Sequence, residues 1–172
     1  MELSKFKIDF LKENKPPKDN SLKTLSEIQD LNKIPIDKDF IKKNDDISKE
    51  FNSIVKDKDI DKLINESSSI ILKLKKYFNR PRPKELAKQF GVNLENVELK
   101  SMKTPSYPSG HSAQAYLISE YLKDKYPNKS KELDKKAKDI SDSRNVARAH
   151  YKSDSDFGKK LGLEMFNFIK NG

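Results

Sequence analysis

Apolar residues in this chain recur at steps of three and four in one segment after another, and no stretch alternates convincingly between apolar and polar. This constrains the fold more than any other feature, because side chains three or four apart share one face of an α-helix, whereas a half-buried strand needs alternation. The spacing predicts helices over 21–32 (Leu22, Leu25, Ile28, Leu31), 37–56 (Phe40, Ile47, Phe51, Ile54) and from Asp59 to Phe78, where Pro81 and Pro83 stop the run. A turn or two is predicted over 84–90, closed by Gly91, with further helices at about 110–126, 129–148 and 154–170 and an irregular stretch over 91–108. Residues 1–20, with Pro16-Pro17 amid lysines, read as an N-terminal arm, and 21–172 as one domain. The expected fold is an all-α, single-domain bundle of six or seven helices.

Composition narrows the function. No apolar run approaches the ~20 residues of a membrane span, and the N-terminus lacks a signal-peptide core, so a cytoplasmic location is the default expectation. With no cysteine, a disulfide framework, a thiolate metal site and a cysteine nucleophile are all excluded. Residues 1–60 balance 13 lysines against 13 acidic residues, so the net charge of +9, all four arginines and both histidines fall in residues 61–172. A field of that sign points to an anionic partner for the C-terminal two-thirds. It also disfavours a divalent metal, for which two histidines and no His-Glu-x-x-His run are a poor ligand set.

Four places set polar residues where the helical pattern wants apolar ones. Lys75 shares a seam with Ile64, Ser68, Ile71, Phe78 and Arg82, and Arg82 is held extended between two prolines. Lys73 lies instead with Glu66, Ser69, Lys76 and Arg80 on a face read as solvated. Ser109 suits an N-cap and Gly110 lets a ligand approach the backbone, so a helix starting there is either ordinarily capped or an anion seat. His111 continues into a buried seam with Ala115, Ile118 and Leu122. Arg144 sits in line with Leu133, Ala137, Ile140 and Ala147, a costly position unless an internal carboxylate or a bound anion meets it. His150 and Asp154 are four apart, so the carboxylate can fix one imidazole nitrogen and leave the other a defined lone pair; this is a structural hydrogen bond, an oriented base or a nucleophile. Arg144 and His150 are six apart, so only a bend between them brings both to one site.

Read together, Lys75-x6-Arg82-Pro83, Pro108-Ser109-Gly110-His111 and Ser143-Arg144-x5-His150-x3-Asp154 resemble the three-part phosphate-site signature of the type 2 phosphatidic acid phosphatase superfamily. That superfamily includes membrane lipid phosphatases, soluble bacterial non-specific acid phosphatases and vanadium haloperoxidases. The resemblance covers residues 75–154; residues 1–60 carry none of it. Lys73 and Arg80-Pro81 also fit the first motif, and the seam selects Lys75 and Arg82. The resemblance implies a metal-free, cofactor-free phosphomonoesterase with a phosphohistidine intermediate. His150 would be the nucleophile, Asp154 its orienter and His111 the general acid and base. Lys75, Arg82, Arg144, Ser109 and Gly110 would bind the phosphoryl group, and vanadate would inhibit.

A histidine near its ordinary ~6.5 would make the enzyme active at acidic to near-neutral pH. Arg148 replaces the small residue many relatives carry two before the last histidine, and is expected to narrow the pocket or add a cation to it. The 91–107 stretch, with Lys100, Lys103 and Tyr107, is expected to form the rim. The partner is a small phosphorylated substrate, and self-association follows the habit of soluble members. The alternatives are a vanadate-dependent haloperoxidase and a non-catalytic polyanion or nucleic-acid binder; few arginines and no aromatic–basic interleaving count against the latter.

Overall fold

The computed structural model describes residues 2–172. All regular structure among them is helical: α1 (Leu22–Asn32), α2 (Lys38–Lys43), α3 (Ile47–Asn52), α4 (Asp59–Phe78), α5 (Pro83–Gln89), α6 (Gly110–Lys125), α7 (Ser130–Val146) and α8 (Lys152–Asn171), with short 3-10 turns at Asp9–Glu13, Lys100–Lys103 and Pro127–Lys129. The all-α class is as expected. The segment 37–56 is two helices because Asn44 closes α2 and the Asp46 carboxylate, accepting the Lys49 amide, starts α3. Asp45 is thereby left on the loop between them.

Helix α6 is the central element and packs against α4, α7 and α8. Its Ala113, Ala115, Leu117, Ile118 and Leu122 are fully buried with Leu63 and Leu74 of α4, Leu133, Ala137 and Ile140 of α7, and Leu161 and Met165 of α8. Two glycines bring α8 against α6: a Cβ at Gly158 would stand 2.6 Å from the Ser109 carbonyl oxygen, and one at Gly162 2.5 Å from that of Ala113. The contact joins the two helices end to end as well, since the Ser109 amide donates to the Asp154 carbonyl at 3.0 Å.

Residues 2–20 are not an arm standing off from the domain. Leu3 and Leu11 are buried in the main core, the Phe6 ring meets Phe168 edge-on at 5.5 Å, and the Tyr107 hydroxyl donates to the Asn14 carbonyl at 2.6 Å. The proline pair and the lysines mark irregular backbone correctly, but the apolar residues among them are too few to show a period.

Candidate active site

Each of the three motifs ends on a structural stop that aims its side chains. Helix α4 is closed by Asn79 in the left-handed conformation (φ 49°), after which Pro81 and Pro83 keep the chain extended and send Arg82 back along the helix. Ser109 caps α6, its hydroxyl accepting the Ser112 amide at 3.2 Å. Helix α7 ends at Val146, and Arg148 at φ 58° supplies the bend that six-residue spacing demanded between Arg144 and His150.

These stops bring the predicted residues together. Lys75, Gly110, His111 and His150 line one cavity of about 310 Å³, together with Ser68, Ile71, Leu72, Gln114, Ser101 and Thr104. Asp154 is behind His150, accepting from its Nδ1 at 2.8 Å, and Arg82 Nη1 reaches the opposite ring nitrogen, Nε2, at 3.0 Å. With Nδ1 protonated toward the carboxylate, Nε2 carries the lone pair and accepts from Arg82 Nη1, a bond that has to open before that nitrogen can attack anything. Arg82 is fixed by carbonyls of Thr104, Ala149 and Ser101 at 2.9–3.0 Å. Lys75 Nζ donates to Thr104 Oγ1 and the Pro105 carbonyl, both at 3.0 Å. Arg144 is fully buried; Nη1 reaches Asp45 Oδ1 at 3.1 Å and Nη2 has no partner. Ser109 is buried as a cap. A Cβ on Gly110 would come no nearer than 3.5 Å to Ile71 and 3.9 Å to Lys75, so packing does not demand the glycine; its bare Cα keeps this wall of the cavity open.

Burial among cations sets the protonation states. Desolvation, followed by the Arg82 charge, brings Lys75 down to about 7. Desolvation holds His150 well below the ordinary imidazole range, with Arg82, Lys75 and Arg144 adding to it. His111, whose side chain keeps 18% exposure, is pushed down to about 4 by desolvation and then by Arg144. Its Nε2 donates to the Asp45 carbonyl at 2.8 Å, leaving Nδ1 as the other exchanging nitrogen. A neutral imidazole among desolvated cations leaves the cavity with an excess of positive charge that a bound anion would relieve. His111 is thus not the near-ordinary imidazole its sequence context suggests: in the free site its ring stays neutral down to about pH 4.

Several readings differ from the structure. Arg80 is not solvated but 1% exposed, because the left-handed Asn79 ends the helix and the face assigned to Arg80 by helical spacing no longer applies. Arg148 neither narrows the pocket nor adds charge to it: its guanidinium points away, onto Asn32 Oδ1 and the carbonyls of Asn32, Ile34 and Glu95. Its positive φ explains why a small residue suits that position. Tyr107 is in the core, stacked on Phe157 with centroids 4.6 Å apart, and Lys100 and Lys103 are exposed, so Ser101 and Thr104 are what this stretch contributes to the cavity. Asp45 and Glu27, both in contact with motif residues, had no sequence signal beyond their charge.

In sequence the chain is 35% identical over 92 residues to the non-specific acid phosphatases of Salmonella typhimurium and Salmonella typhi. The match takes in 54% of this chain and 36% of each relative, so the chain covers little more than a third of their length. No protein-family model matches. Among solved structures the chain is similar to the transmembrane PAP2 type phosphatidylglycerolphosphate phosphatase from Bacillus subtilis, at 18% identity and a TM-score of 0.48, over 96% of this chain and 78% of that one. No described helix is long and apolar enough to cross a membrane. The acid phosphatase relatives support the type 2 phosphatidic acid phosphatase superfamily, the class to which the motifs pointed.

Proposed function

We propose that this chain is a phosphatase that hydrolyses small phosphate esters without a metal, through a covalent phosphohistidine. The observation that carries the reading is His150: Nδ1 tied to Asp154, Nε2 carrying the lone pair, and the ring in the wall of a cavity shared with Lys75, Gly110 and His111. Lys75 and the first amides of α6 face the cavity and hold the phosphoryl oxygens, with the Ser109 hydroxyl free to donate; Arg82 and Arg144 are behind its wall and contribute by turning toward the bound group, Arg82 from its present partners and Arg144 with its buried, unpartnered Nη2. His150 Nε2 bonds to phosphorus as the bond to the leaving oxygen breaks, and the ring becomes cationic beside Asp154. His111, protonated at Nδ1, gives that proton to the leaving oxygen. It then takes one from water, which attacks phosphorus, releases phosphate and restores neutral His150.

The test is p-nitrophenyl phosphate with the purified protein. Hydrolysis is expected to be unchanged by EDTA and blocked by orthovanadate, which can take the five-coordinate geometry of the transferring group; loss of activity to the chelator refutes the metal-free route. Vanadate is proposed as an inhibitor, with no cofactor required.

The pH profile follows from the direction of the His111 shift. Because its folded value lies below that of a free imidazole, the cation needed for the first proton transfer becomes scarcer as pH rises above about 4, although a bound phosphate dianion pulls the value back up. His150, also held well below the ordinary imidazole range, stays neutral in the same range. Asp154, which desolvation raises to about 6, has to be ionised to orient His150, so we expect kcat/KM to peak near that value and to fall toward about pH 8 as the His111 cation is lost. An alkaline optimum would remove His111 from the role of acid.

A further inference from the structure

We infer that Glu27, on α1, and Arg80 are a positioning pair that holds Asp154 in place and leaves one net negative charge behind His150. The two oxygens of Asp154 have separate tasks. Oδ2 accepts from His150 Nδ1 at 2.8 Å, from the Tyr151 amide at 3.2 Å and from the Ser106 hydroxyl, whereas Oδ1 accepts from Arg80 Nη1 at 2.8 Å. Arg80 Nη2 turns to Glu27 Oε2 at 3.3 Å, and Glu27 accepts the Ser153 amide at 2.7 Å and the Ser153 hydroxyl at 2.8 Å. The guanidinium lies 3.6 Å over the Tyr151 ring, whose hydroxyl is tied to the Pro81 carbonyl. The side chains of Glu27, Arg80 and Asp154 are 4%, 0% and 0% exposed, so solvent screens little of this.

The charge count gives the pair a function. His150 is in the field of Lys75, Arg82, Arg144 and His111, all cationic or able to become so, with the half-exposed Asp45 carboxylate paired to Arg144 and His111 beyond them. Behind it are Asp154, Arg80 and Glu27, with Tyr107 and Tyr151 as the neighbouring neutral phenols. Asp154 and Arg80 alone would cancel, and the nearest uncompensated charges around His150 would be the cations Lys75 and Arg82. Glu27 restores a net negative charge, and it is this excess that meets the imidazolium formed when His150 bonds to phosphorus. A pair that only joined α1 to the bundle would need no such excess.

For catalysis the inference rests on the proposed role of His150; its electrostatic content does not, and the experiment separates the two. With only two histidines in the chain, the His150 ring can be followed by NMR in the presence of inorganic phosphate. Glu27→Gln keeps the shape and removes a negative charge, Arg80→Gln removes a positive one, and the double variant restores the count. The His150 titration is expected to move down in Glu27→Gln, up in Arg80→Gln, each by about a pH unit, and to return close to the wild-type value in the double variant. In Glu27→Gln, kcat for p-nitrophenyl phosphate is expected to fall roughly tenfold with KM nearly unchanged. If one single variant fails to fold, the other against the double still gives the sign. Singles that shift His150 in the same direction, or not at all, overturn the inference whether or not the protein is a phosphatase. A wild type that shows no hydrolysis, with the opposed shifts intact, overturns the proposed function and leaves the electrostatic pair standing.

Discussion

Replacing His150 by alanine is expected to lower phosphate release from p-nitrophenyl phosphate by on the order of 10⁴-fold or more, which in practice means no detectable activity. The size follows from His150 being the cavity imidazole that a buried carboxylate orients: Lys75 is committed to Thr104 and Pro105, the Ser109 hydroxyl caps α6, and His111, whose Nδ1 handles the proton, has no such carboxylate behind its ring. A purely supporting histidine would cost far less, because Asp154 keeps the Arg80, Ser106 and Tyr151 donors when the ring is gone. Those remaining bonds also keep the variant folded, to be checked by its unfolding midpoint. Imidazole added to the solution can occupy the vacated volume and is expected to return part of the rate. A His150→Ala protein that still turns over at a tenth of the wild-type rate assigns the chemistry to another residue.

Gly162→Ala is expected to destabilise the protein by about 2–3 kcal/mol, even though alanine favours a helix over glycine by up to ~1 kcal/mol. The added methyl would stand 2.5 Å from the Ala113 carbonyl oxygen, 3.0 Å from the Leu117 amide nitrogen and 3.1 Å from Tyr116 Cβ. Two of these are backbone atoms of α6 and cannot swing aside as a side-chain tip would, so steric overlap outweighs helix propensity and the helices must separate. Denaturant unfolding at neutral pH reads the change directly; a variant as stable as the parent would show that the two helices slide past each other at little cost. Because His111 rides on α6 and Asp154 begins α8, the same variant should lose activity before it loses structure.

The site was legible in the sequence where a charged group broke a periodic pattern. Arg144 stood in line with Leu133, Ala137 and Ile140, and all four are fully buried. Lys75 was chosen over Lys73 by the seam through Ile71, and the structure buries the first and exposes the second. Arg80 escapes the pattern because helical spacing no longer applies beyond the left-handed Asn79. Asp45 could not be found this way: it is an exposed loop residue whose partner, Arg144, is 99 positions along the chain, and neither fact leaves a mark on local spacing. Glu27 is half of a pairing 53 positions long, in a segment with no motif around it. The helices themselves were read well because their apolar spacing is local; the break at 44–46 was missed because a carboxylate cap overrides spacing.

The wrapping of the first fifty residues around the bundle has a practical outcome for protein engineering. Span 75–154 holds every motif, yet it is not a transplantable cassette. Excised and grafted elsewhere, it would leave behind the carboxyl that holds Arg144, the one that counterbalances Arg80, and the leucines at positions 3 and 11 that seal the underside. A minimal version of this domain therefore has to be trimmed from its loops and surface, not from its leading third.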